Sequence, residues 1–379
     1  MLLLNIFAHL ATNATHLIKS IKYITPKLLL AALLMAVSFS ACKNKTGGED
    51  ATKSLEDSLA EKYGKGSEVI AQLNEDIANS PNNPELYYRR ALQWAREENP
   101  VKALLDIKKA VSMEPENALY RFALGEVYFA NDSVTGAMAS FNKAVELKPD
   151  FTEALLKLGE LQMILFQYSE SNTTFDKLLE IDPNSAAAYY YKGRNYVGMK
   201  DTVRGIIQYK KSVSLDNDYY EAYVQLGSLF SVKGGKTNLK LAEEYFTNAI
   251  RIKELSAEAY YARALVYYDM SAFDMNAYDK ARADYEKVLA IDPDDYRPYS
   301  GIGLINLNLN QFEKAIEAFD KALIMKPDYV RGYYLRALTY ESKGDYPSAI
   351  KDYEQVVSMD GDYVAAKEAL AELKKKTRK

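Results

Sequence analysis

Cysteine and histidine carry most nucleophilic, acid–base and metal chemistry near neutral pH. This chain of 379 residues has only three of them, His9, His16 and Cys42. All lie in the first 42 residues, so beyond them no histidine-based triad, no cysteine–histidine nucleophile and almost no zinc or transition-metal site can be assembled. No metal and no cofactor are expected. The 52 Asp and Glu residues could in principle supply a glycosidase pair. The stretch "KGGK" at 233–236 lacks both the spacing and the strand-to-helix setting of a phosphate loop. An enzyme is therefore not expected. The formal net charge is −4, and the first 41 residues hold three lysines and no acid, leaving 45 basic against 52 acidic residues. That balance points away from nucleic acid. The basic tail "KKKTRK" at 374–379 reads as the complement of a helix C-terminus.

With catalysis set aside, the 31 tyrosines and the leucines are the side chains left to do work, and their spacing shows what must position them. Pro115, Pro149, Pro183, Pro293 and Pro327 are separated by 34, 34, 110 and 34 residues, the long gap holding three periods and a surplus of 8. A fixed period of this size marks a repeat array. Counting back gives eight units, 84–117, 118–151, 152–185, 186–219, 220–256, 257–295, 296–329 and 330–363. The surplus falls near Lys233–Thr237 and Ala272–Asn276, where it is expected to form surface loops projecting from the same edge. Within a unit, an aromatic or leucine at the fourth position precedes a small residue such as Gly125, Gly159, Gly227 or Gly303. That is helical spacing with room for a second helix to approach. The closing proline has no N–H to donate and stops the helix.

This pattern resembles the tetratricopeptide repeat (TPR), best in "Leu124, Gly125, Tyr128, Ala137, Phe141, Ala144, Pro149" and in the unit that begins at Tyr296. The resemblance implies an all-α fold, a right-handed superhelix of about eight helix–turn–helix units with capping helices. Residues 66–83 are expected to form a half-repeat cap, and 364–379 a C-terminal capping helix with its basic tail. In that family the concave face is lined by the second, fifth, ninth and twelfth positions of each first helix. Carried over, the fifth positions are Tyr88, Phe122, Leu156, Tyr190, Val224, Tyr261, Ser300 and Tyr334. The ninth are Leu92, Glu126, Glu160, Arg194, Ser228, Leu265, Leu304 and Leu338, and the twelfth include Phe129, Met163, Val197, Tyr268 and Leu307. Glu85, Glu153, Glu221 and Glu258 add an acidic edge at second positions. An aromatic–aliphatic surface of this extent is expected to bind a peptide or helix of another protein. Lys and Asn are missing from most fifth and ninth positions, so a clamp on a C-terminal carboxylate is not expected.

The start of the chain reads differently. Lys19, Lys22 and Lys27 precede the apolar run "LLLAALLMAVSF" and then "SAC" ending at Cys42. Twelve apolar residues are too few to span a bilayer, which takes about 20. The stretch resembles a bacterial lipoprotein signal over residues 1–41, which implies cleavage before Cys42 and lipidation of its thiol. Residues 42–65 then form a polar tether. Two or three acyl chains would hold the protein at a membrane. The expectation is a lipid-anchored scaffold in a bacterial envelope, at the outer membrane facing the periplasm, serving an assembly or secretion machine. A glycan-binding lipoprotein for nutrient uptake is the alternative, with Trp94 the only tryptophan for sugar stacking. Oligomeric state is left open.

Overall fold

The computed structural model describes residues 67–377, so residues 1–66, with Cys42 and the expected leader and tether, lie outside it. The described residues form 18 α-helices and no strand. They fall into two compact units, divided between Met199 and Lys200.

The first unit starts with α1 (Ser67–Asn79) and continues through α2 (Pro84–Arg96), α3 (Pro100–Met113), α4 (Ala118–Ala130), α5 (Val134–Leu147), α6 (Thr152–Ile164), α7 (Tyr168–Ile181) and α8 (Ala186–Gly198). The second comprises α9 (Thr202–Leu215), α10 (Tyr220–Lys233), α11 (Gly235–Ile252), α12 (Ala257–Met270), α13 (Ala277–Ile291), α14 (Arg297–Asn308), α15 (Phe312–Met325), α16 (Val330–Lys343), α17 (Tyr346–Met359) and α18 (Val364–Lys376). In both, neighbouring helices pair as hairpins and the hairpins stack, with α1 covering one end of the first unit and α18 packing on α17 in the second.

The small residues explain how closely the hairpin helices approach. A Cβ placed on Gly125 would meet the Phe141 ring at 2.5 Å, and one on Gly159 or Gly303 would meet Phe175 or Phe319 at 2.6 Å. The three phenylalanines are at most 2% exposed. Each ring thus lies close against the backbone of its partner helix, and a methyl group there would overpack the crossing. Second helices α3, α5, α7, α13 and α15 end two residues before Pro115, Pro149, Pro183, Pro293 and Pro327, as expected where the residue before proline is driven out of helical geometry.

The hairpin turns carry a feature that the sequence pattern did not disclose. Glu98, Asp132, Phe166, Lys200 and Asn310, the fifteenth residues of their repeats, hold φ between 53° and 65°, and Gly344 occupies the same place at 88°. Only the last is the residue type that adopts this region freely. The two surplus stretches are accommodated unequally. Near Lys233–Thr237 the extra residues do not project as a loop. They lengthen α11 to 18 residues, with Gly234 (φ 62°) alone joining it to α10. The other surplus forms the irregular turn between α12 and α13.

Charge ties successive hairpins together. Arg90, Arg263 and Arg336 each make a two-pronged contact with an aspartate of their own second helix, Asp106 at 2.7 Å, Asp284 at 2.8 Å and Asp352 at 2.7 and 2.8 Å. A further nitrogen of each reaches back sixteen residues to the preceding second helix, at Asn74, Thr247 and Asp320. Lys192 reaches back to Asp176 from the same place in its repeat.

Candidate functional site: the inner face of the second unit

In the second unit, consecutive first helices α10, α12, α14 and α16 also contact one another, so they form the inner side of the stack. On that side Leu265 is 42% exposed. Tyr261 and Tyr268 on α12, Leu304 and Leu307 on α14, and Tyr334 and Leu338 on α16 are half-buried. The tyrosine rings are supported from behind. Tyr261 rests on Tyr285 with ring centres 5.8 Å apart, Tyr268 on Tyr278 at 5.9 Å, and Tyr334 on Tyr353 at 5.8 Å and Tyr363 at 5.0 Å. Aromatic contacts of this geometry hold the rings in place.

Polar groups are threaded among them. Asn308 Nδ2 donates to the hydroxyls of Tyr268 and Tyr278 at 2.8 and 3.0 Å. Arg297 lies 4.5 Å above the Tyr261 ring while bound to Asp295 at 2.8 Å and Glu258 at 3.3 Å. Burial pushes the Tyr261 and Tyr363 hydroxyls up to about 12 and raises Tyr268, Tyr329 and Tyr334 as well. At neutral pH they all remain protonated donors. Burial also raises the Asp269 carboxyl to about 6, although its side chain is exposed to water.

The expected face of the first unit is more closed. Tyr88, Met163 and Tyr190 are buried rather than presented, at 3, 7 and 7% exposure. Tyr88 packs on Tyr120 with ring centres 5.1 Å apart. Phe122, half-buried, is wedged between Phe141 and Phe151. Leu92, Phe129 and Leu156 are half-buried, and Arg194 is exposed beside the Tyr190 ring. Glu126 repeats the Asp269 situation, exposed yet with its carboxyl pKa raised by burial. Sequence reading missed Asn308, Asp269, Arg297 and Arg331. The arginines stand at second positions, where only the glutamates had been counted. Trp94 is half-buried beneath Lys102, whose Nζ lies 4.1 Å from its ring centre.

A cleft of about 740 Å³ lined by Tyr220, Arg251, Lys253 and Leu255 includes none of the inner-face residues. Among the described residues no group of three or more His, Cys, Asp or Glu could hold a metal ion, and no helix is long and apolar enough to cross a membrane.

Four family models described as "Tetratricopeptide repeat" match residues 88–150, 153–185, 272–338 and 330–363. Among solved structures, the C-terminal part of a TPR repeat-containing protein from Cytophaga hutchinsonii is 20% identical, with a TM-score of 0.54 over 66% of this chain and 99% of that one. A tetratricopeptide repeat protein from Parabacteroides merdae is 17% identical, with a TM-score of 0.47 over 68% of this chain and 98% of that one. YrrB, described as a TPR protein with an unusual peptide-binding site, is 23% identical, with a TM-score of 0.44 over 52% of this chain and 97% of that one. The first likeness shows the fold alone. No curated protein matches the chain.

Proposed function

The chain is a tetratricopeptide repeat protein, and from that premise we propose that the inner face of its second unit holds a segment of another protein. The observation that carries this reading is the row Tyr261, Leu265, Tyr268, Leu304, Leu307, Tyr334 and Leu338, accessible on one side and braced by buried aromatics on the other. Tyrosine gives large contact area at low conformational cost, and rings already fixed lose little more on binding. The role is non-catalytic, that of a scaffold or adaptor. The leader-like start and Cys42 support a lipid-anchored protein of a bacterial envelope, placed at the outer membrane within an assembly or secretion machine.

Two experiments test this. Crosslinking in native envelopes followed by mass spectrometry is expected to recover a specific partner with the wild type. The combined variant Tyr261→Ala, Leu265→Ala and Tyr268→Ala should lose that partner while keeping its helical circular dichroism. An unchanged crosslinking profile overturns the assignment of the face. Labelled palmitate is expected on the wild-type chain and absent from Cys42→Ser; absence from both removes the anchor.

A further inference from the structure

Arg331, the second residue of α16, differs from every other described arginine of the second unit. Arg204, Arg251, Arg263, Arg282, Arg297 and Arg336 each have a carboxylate within 3.4 Å. Arg331 is exposed and makes no ion pair or hydrogen bond to any described residue.

Its surroundings are donors rather than acceptors. The Arg331 guanidinium is in electrostatic reach of the hydroxyls of Tyr261, Tyr268, Tyr285, Tyr329 and Tyr363, tempering the upward push that burial gives them. Tyr329 is fixed in place by Ser300 at 3.1 Å and by the Tyr296 ring at 4.9 Å. The Tyr261 hydroxyl makes no hydrogen bond to a described residue. Of the carboxylates around this cluster, Asp295 and Glu258 hold Arg297, and Glu341 accepts from the Tyr353 hydroxyl at 2.8 Å. Asp269, raised to about 6 and so still ionised at neutral pH, and Asp360, which acts on Tyr363, make no ion pair with Arg331. A free guanidinium beside neutral phenol donors is complementary to a carboxylate, which accepts several hydrogen bonds at once.

We propose that Arg331 anchors an acidic side chain of the segment bound on the inner face, with the Tyr261 hydroxyl as a second donor. This rests on the assignment of that face to a protein partner and adds the chemistry of the segment. It differs from a terminal-carboxylate clamp, since a single arginine here receives an internal Asp or Glu while flanking residues lie on Tyr268, Leu304 and Leu307. The arrangement needs no movement of the arginine away from an existing partner, so binding costs no broken ion pair.

The test is a selection of random dodecapeptides displayed on phage against the full-length chain and against Arg331→Gln and Arg331→Glu. Selected peptides are then labelled and titrated by fluorescence anisotropy. The wild type is expected to enrich Asp and Glu at one register. Arg331→Gln should weaken those peptides at least tenfold, and Arg331→Glu should select Lys or Arg at that register. Because Arg331 is exposed and unpaired, both variants should melt within a few degrees of the wild type. Neutral peptides that bind equally to Arg331→Gln, but are lost with the Tyr261, Leu265 and Tyr268 alanine variant, overturn the arginine anchor and leave the face intact. Peptides insensitive to the alanine variant, or no selected peptides at all, overturn both.

Discussion

At Asp269, water reaches a carboxylate that the surrounding protein still isolates, and the consequence is a measurable dependence on pH. The folded-state value of about 6 stands above the usual carboxylate range near 3.9. Between those values the folded chain binds more protons than the unfolded one, so this group's contribution to stability falls as pH rises through about 4 to 6. Asp269→Asn, which carries no charge at any pH, should therefore melt higher than the wild type at pH 8. The difference should vanish near pH 4, and thermal unfolding followed at 222 nm at the two pH values checks it. Equal melting at pH 8 would mean that the carboxylate is not enclosed. Tyr261 and Tyr363 make the opposite case: with hydroxyls pushed up to about 12, these two give no titration below pH 10. Sequence could place Tyr261, Leu265 and Tyr268 on one face through their spacing. It could not tell them from Tyr88, Met163 and Tyr190, which occupy equivalent positions and are buried. Whether such a residue is open or covered depends on neighbours that a position count does not include, such as Tyr120 against Tyr88.

Among the helices, two features make opposite predictions. Phe166 holds φ of 60° in the α6–α7 turn and is 77% exposed, with only an edge contact to Tyr168 at 6.1 Å. A left-handed backbone costs a side-chain-bearing residue roughly 1–2 kcal/mol. Phe166→Gly should thus stabilise the chain by about 1 kcal/mol, less whatever the Tyr168 contact contributes, and a raised urea midpoint is the expected reading. Gly344, and Gly234 at the same place in its repeat, show the solution that those five turns lack. In contrast, Asp352→Ala leaves Arg336 with Asp320 alone at a largely buried crossing. Removing one member of such a pair costs about 3 kcal/mol, and the midpoint should fall accordingly. The hairpins were legible because glycine, alanine and proline return at one phase, each for a steric reason. The arginine clamps were written at a fixed place too, yet they were not read, because the partner of Arg336 sits sixteen residues away in either direction. Conversely, the surplus near Gly234 looked like a loop and became helix, since Lys236, Leu239 and Leu241 are good helix formers once Gly234 has turned the chain.

At the scale of the whole molecule, each unit is a stack in which repeats touch their neighbours, and its stability is approximately a sum of local terms. Phe141 and Phe319 are fully buried in different units, and each loses about 3–5 kcal/mol on truncation to alanine. Hydrogen exchange read by mass spectrometry should show Phe319→Ala speeding amide exchange in Lys200–Lys379 well before it affects residues 67–199, with Phe141→Ala doing the reverse. Uniform acceleration in either variant would mean that the chain unfolds as one block. The clamps also give the stack a direction. As a chain leaves the ribosome, Asn74, Thr247 and Asp320 emerge before the arginines that grip them. A newly made first helix can therefore latch onto finished structure with one arm of its guanidinium, while the other arm waits for an aspartate still to be synthesised. Growth by single helices is possible in that order, and a nascent chain paused between the two helices of a repeat has somewhere to rest.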